Sequence, residues 1–217
     1  MGPRLSTSSL RKELGGGDRR SVGRVPTLLR EPHEHPELVA RLVPLLEDGD
    51  PLVRMRAADA LEKLTAAEPF LLRRFTTRLL RLARGAEQQE LRWHLAQIMP
   101  RLCLTVRQRV DCARTLRKYL EDRSSIVRTC ALHALAELAQ GLPSLRPQVD
   151  QLLQEALRTG TPAMQARARR LLAWRITERP SGQRVQPRQS IAGPPRNLRW
   201  RSATTRRIRP TPGTFAS

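Results

Sequence analysis

DGDPLVRMRAADALEKL, residues 48–64, opens on acid, glycine and proline, then runs into a segment whose small and aliphatic residues share one side. Val53, Ala57 and Leu61 stand at i, i+4 and i+8, the row that one face of an α-helix presents. The pattern returns along the chain. Aligned on Val53-Arg54, later copies carry Leu91-Arg92 in QELRWHLAQIMPRL, Val127-Arg128 in SSIVRTCALHALAEL and Met164-Gln165 in TPAMQARARRLL, at offsets of 38, 36 and 37 residues. Eight positions after each aliphatic marker come Leu61, Met99, Leu135 and Leu172. A period in this range marks a repeat architecture, in which one unit cannot bury its apolar face alone but stacked units share a core.

Each copy is preceded by a second amphipathic segment: PELVARLVPLLE, FLLRRFTTRLLRLAR, RQRVDCARTLRKYLE and RPQVDQLLQEALR. Proline and glycine punctuate the junctions at Pro36, Gly49, Pro51, Pro69, Gly85, Gly141, Pro143, Gly160 and Pro162. Proline is tolerated in a first helical turn and glycine suits helix ends, so these positions read as start and stop signals. The spacing predicts eight helices in four helix-turn-helix units over residues 36–177, with a flexible basic segment at 1–35 and a disordered Arg/Pro-rich tail at 178–217. The tails lack periodicity and are rich in Gly, Pro, Ser and Arg, a composition that cannot bury enough apolar surface to offset its ordering entropy. Aromatic residues are only 3%, which argues against a β-sandwich or barrel.

Period and motif together resemble the HEAT-repeat family of α-solenoids over about 140 residues, which implies an all-α fold of four stacked HEAT-like units. The family often places an aspartate six residues ahead of the arginine, and neighbouring copies form a hydrogen-bonded ladder. Asp48 precedes Arg54 and Asp122 precedes Arg128 at that spacing. The second copy has Ala86 there with Glu87 beside it, and the fourth has Thr159 and Gln165, as a capping repeat would. The resemblance makes the Asp–Arg pairs structural.

Formal net charge is +20, with 9 basic residues against 1 acidic in 177–217 and 7 against 2 in 1–30. All but three basic residues are arginine, a ratio that suits phosphate and carboxylate recognition but that GC-rich codons also produce. Solenoids usually bind on the concave face lined by the second helix of each pair. Positions three, six and ten after the marker, with Trp93 at the edge, give the candidate face: Arg56, Lys63, Trp93, His94, Arg101, His133, Arg167, Arg170 and Trp174. The same positions also hold Asp59, Gln97, Cys130 and Glu137.

Catalytic readings fail on their missing parts. HEAT-like hydroxylases hold an iron pair with repeated His-Glu dipeptides, and here there is one, His33-Glu34, followed by His35. HEAT-like DNA glycosylases pair tryptophans with an aspartate, but one turn after Trp93 stands Gln97. No cofactor or metal site is expected, and no catalytic residue is assigned. Cys103, Cys112 and Cys130 are odd in number and lack C-x-x-C spacing, which fits reduced thiols. No apolar run reaches the length of a membrane span. The expectation is a cytoplasmic, non-catalytic scaffold whose partner is another protein. The alternative is a module that binds nucleic acid or another polyanion through the basic groove and tail, where Trp200 lies between Arg199 and Arg201.

Overall fold

The computed structural model describes residues 6–16 and 35–177, with no side-chain description for His35 or for residues 175–177. The described residues are all-α, with no strand among them. The helices are α1 (Thr7–Leu14), α2 (His35–Leu45), α3 (Pro51–Ala67), α4 (Thr76–Gly85), α5 (Gln89–Ile98), α6 (Val106–Tyr119), α7 (Ser125–Leu138), α8 (Arg146–Thr159) and α9 (Pro162–Thr177). Short 3-10 segments at Pro69–Phe75, Met99–Arg101 and Pro143–Leu145 lead out of α3, α5 and α7.

Local chemistry sets the boundaries. Asp50 caps α3 by accepting from the Leu52 amide at 2.8 Å, with Pro51 at the first helical position. Thr105 and Gln108 form a reciprocal capping box at the start of α6. Pro100 removes an amide where α5 passes into a 3-10 turn. Between α8 and α9 the chain passes so close to itself that a Cβ on Gly160 would lie 2.4 Å from the Ala156 carbonyl oxygen. No other residue fits there without a backbone shift.

The helices pack as consecutive pairs, α2 with α3, α4 with α5, α6 with α7 and α8 with α9, while α3, α5, α7 and α9 also touch in succession. This is a helical repeat-like arrangement, and the i, i+4, i+8 row is its spine. Val53, Ala57, Leu61, Leu95, Met99, Val127 and Ala131 have no accessible surface, and Leu91 and Leu135 nearly none. In the last copy Ala168 is buried, but Met164 and Leu172 only partly, since no further described helix packs beyond α9. Burial of one large aliphatic side chain stabilises by about 1.5–3 kcal/mol, so this shared spine carries much of the fold.

Residues 1–35 are not uniform. Within them α1 packs on α2 and α3, with Leu10 and Leu14 at zero exposure. Ser6 caps its start by accepting from the Ser9 amide. Gly15 closes it, and Gly16 turns the chain at φ 72°, a region that favours glycine. Gly15 and Gly16, within the segment expected to be flexible, therefore end a helix. The expectations for residues 17–34 and 178–217 lie outside the described residues.

Arg56 holds this end in place. It is 2% exposed and donates from Nη1 to the carbonyls of Leu14 at 2.9 Å and Gly16 at 2.7 Å. A cation on the last carbonyls of a helix satisfies acceptors that lack intrahelical partners and meets the negative end of the dipole. Arg56→Met, which keeps the stem and removes the fork, is expected to cost about 2 kcal/mol, the scale of a charge-assisted hydrogen bond. Trypsin should then cut at Arg11 and Lys12 faster than in wild type. An unchanged urea midpoint and digestion pattern would show that the cap is idle.

Candidate functional site: an inner row of polar side chains

Two lines of polar contacts tie one unit to the next. The first runs along the turns that join the helices of each pair. Within a unit, each arginine of the aliphatic-arginine motif donates from Nη1 to the carbonyl six residues back. Arg54 reaches Asp48 at 2.7 Å, Arg92 reaches Ala86 at 3.4 Å and Arg128 reaches Asp122 at 3.0 Å. Arg54 and Arg92, from their other side, meet the turn of the next unit. Arg54 Nε donates to Gln88 Oε1 at 2.8 Å, and Gln88 returns a bond to the Pro51 carbonyl. Arg92 Nε stands 2.7 Å from Asp122 Oδ2, close enough for charge contact although its N–H is not directed at the oxygen.

The six-residue spacing thus selects a carbonyl, and the aspartates serve the preceding unit's arginine. That is why Ala86 suffices in the second unit: its carbonyl does the work, and Gln88 supplies the acceptor across the gap. Each aspartate also accepts from the amide two residues on, Asp50 at 2.9 Å and Ser124 at 2.7 Å. Asp48 receives Arg11 of α1, Nε to Oδ2 at 2.6 Å and Nη2 to Oδ1 at 3.0 Å. That arginine holds the Asp48 carboxyl below its usual range. Leu10-Arg11 with Leu14 one turn on repeats the aliphatic-arginine motif, so α1 occupies the position of a unit's second helix ahead of the first complete pair.

The second line lies along α3, α5, α7 and α9, where the candidate face was expected. Lys63 pairs with Asp59 at 2.6 Å. Arg101 meets the Glu62 carboxylate at 2.7 Å and its carbonyl at 2.8 Å. Arg167 Nη1 lies 3.0 Å from His133 Nδ1, and His133 Nε2 lies 3.5 Å from Glu137 Oε1. Burial, then the charges of Arg167 and Arg101, push His133 down to about 4. It is therefore neutral at pH 7 and accepts from Arg167 through Nδ1. Burial raises the Glu137 carboxyl and lowers the Arg167 guanidinium.

The remaining candidates differ in kind. Trp93 and Trp174 are half-buried and pack against the core, while Arg170 is exposed. His94 is buried beside Trp93, with ring centroids 5.6 Å apart, and its Nδ1 has no hydrogen-bond partner among the described residues. Burial pushes its pKa down as well. Arg56 departs from the expected face altogether, being consumed at the end of α1. Glu62, nine residues after its marker, was missed because the face was sampled at three, six and ten. Its signal was Arg101 at the tenth position of the next unit.

Cys112 and Cys130 are buried free thiols pushed up to about 12 by that burial, and Cys103 is an exposed free thiol. Among the described residues no group of three His, Cys, Asp or Glu side chains is placed to hold a metal, and no helix is long and apolar enough to cross a membrane. His33, Glu34, the His35 side chain and the Arg199–Arg201 stretch lie outside the described residues. A scan of protein-family models and a search of curated proteins find no match to this chain.

Proposed function

We propose that the chain is a non-catalytic scaffold of four HEAT-like units, preceded by a capping helix, that binds another protein through the inner row of α3, α5, α7 and α9, in the cytoplasm. The observation that carries this reading is the pairing of charge along the row: Lys63 with Asp59, Arg101 with Glu62, and Arg167 with His133 beside Glu137. A polyphosphate laid there would meet Lys63 and Arg101 already paired with carboxylates and Arg167 already held by His133. A protein surface of mixed charge suits a row of alternating sign, with Trp93, Trp174 and Arg170 as anchors of the types that dominate binding energy.

A second reading, a polyanion-binding module, is supported by Arg158, Arg169 and Arg170. They are exposed and without partners among the described residues. Anisotropy of labelled single- and double-stranded DNA and RNA at two salt concentrations separates the readings. The scaffold reading expects weak binding, alike for every nucleic acid and lost as salt rises, because counterion release governs such contacts. It also expects a protein captured from cell extract by wild type and lost on Arg170→Glu with Trp174→Ala. Tight binding that discriminates among nucleic acids and is lost in that same double variant would overturn it.

A further inference from the structure

The exposed arc of α6 differs from the inner row in that its cations are not balanced. At 100° per residue, Val106, Val110, Arg117, Arg114, Arg107 and Lys118 fall within about a third of the helix circumference. Val106 is 67% exposed and Val110 41%. Arg107, Arg114, Arg117 and Lys118 are exposed too. Arg114 is held by Asp111 at its edge and Arg117 by Gln148, while Arg107 and Lys118 have no partner among the described residues. No acidic side chain of α6 itself lies within the arc, and the exposed Glu121 follows two residues past its end.

We propose that this face of α6 docks an amphipathic helix of a partner protein whose aliphatic ridge is flanked by acidic residues. Two valines one turn apart form the start of an i, i+4 ridge, the element that packs into the groove of another helix. Val106 to Lys118 spans about 18 Å at 1.5 Å per residue, the length of three helical turns. The charge complement is anionic throughout. The chain's own segment 177–217, with 9 basic residues and 1 acidic, carries the wrong sign to cover it. A nucleic-acid backbone offers the valines nothing apolar, and two valines bury too little area to hold a bilayer.

The test uses the full chain and a labelled synthetic helix with leucine at i, i+4 and i+7 flanked by glutamates. Polyglutamate of equal length, a 12-base-pair DNA duplex and vesicles of phosphatidylcholine with phosphatidylserine are the comparisons. Wild type should bind the Glu/Leu helix at least tenfold tighter than polyglutamate. Val106→Ser with Val110→Ser, and separately Arg107→Ser with Lys118→Ser, should each weaken it at least tenfold with unchanged circular dichroism. Arg170→Glu, on the inner row, should leave it unchanged, so failure here is distinguishable from failure of the inner-row reading. Absent binding, or equal binding of polyglutamate, overturns the proposal. So does stronger binding of duplex or vesicle that the valine changes abolish.

Discussion

Asp122→Ala is expected to lower the stability of the chain by about 3 kcal/mol, as removal of one member of a buried ion pair does. Its side chain is 7% exposed and its arginine partner's 25%. Alanine would leave the buried Nε of Arg92 without its counter-charge and the Ser124 amide without its acceptor. The corresponding change at Asp48 should cost less, although that carboxylate makes the better hydrogen bonds. Its partner Arg11 is half in solvent, where water replaces the lost contact and salt screens it. The urea midpoints of the two variants, measured side by side, check the ordering. Equal losses would mean that the distances, and not the burial of the arginine, set the strength of a rung.

That contrast also marks what could be read from the chain. The apolar row was legible because its spacing at i, i+4 and i+8 has one structural meaning, and all three residues of the first copy are fully buried. The Asp–Arg spacing was legible as a recurrence but not as a bond. Whether Arg54 reaches the Asp48 carboxylate or its carbonyl depends on which way the short connection between α2 and α3 presents each oxygen, and no periodicity carries that. Helix α1 escaped notice because eight residues give too few turns to stand out from a Gly- and Arg-rich background. Its Leu10-Arg11 pair nevertheless repeats the motif that defines the later units.

The electrostatics of the expected face were misjudged. Counting cations at fixed offsets gave a basic groove, since Glu62 fell between the sampled positions and Asp59 was set against the whole row and not against its neighbour Lys63. Charge on a helix face acts through its nearest partner, and Arg101 finds its partner one unit away. By contrast, the unbalanced cations of α6 sit on an outer helix, where sequence periodicity alone says only that the face is solvated.

Between pH 6.5 and about 4 the fold should lose stability, and His133 should account for much of the loss. Its folded-state pKa of about 4 lies below the ordinary value of 6.5, so the unfolded chain takes up a proton in that window before the folded chain does. Stability from this group is therefore complete above pH 6.5 and falls away toward pH 4, by about 3 kcal/mol for a shift of this size. His94, buried and shifted in the same direction, adds to the loss. Glu137, raised by burial, acts with the opposite sign and returns part of it as its folded form takes up a proton first. Urea midpoints at pH 7, 6, 5 and 4 give the profile. His133→Gln keeps an acceptor for Arg167 but cannot titrate, so it should hold the stability of wild type at pH 7 and flatten the slope below 6. A variant profile as steep as that of wild type would place the acid loss outside the inner row. If the slope flattens, protonation of His133 beside Arg167 and Arg101 is the event that pulls α9 from α7, because the carboxylates of Glu62 and Glu137 cannot offset three cations there.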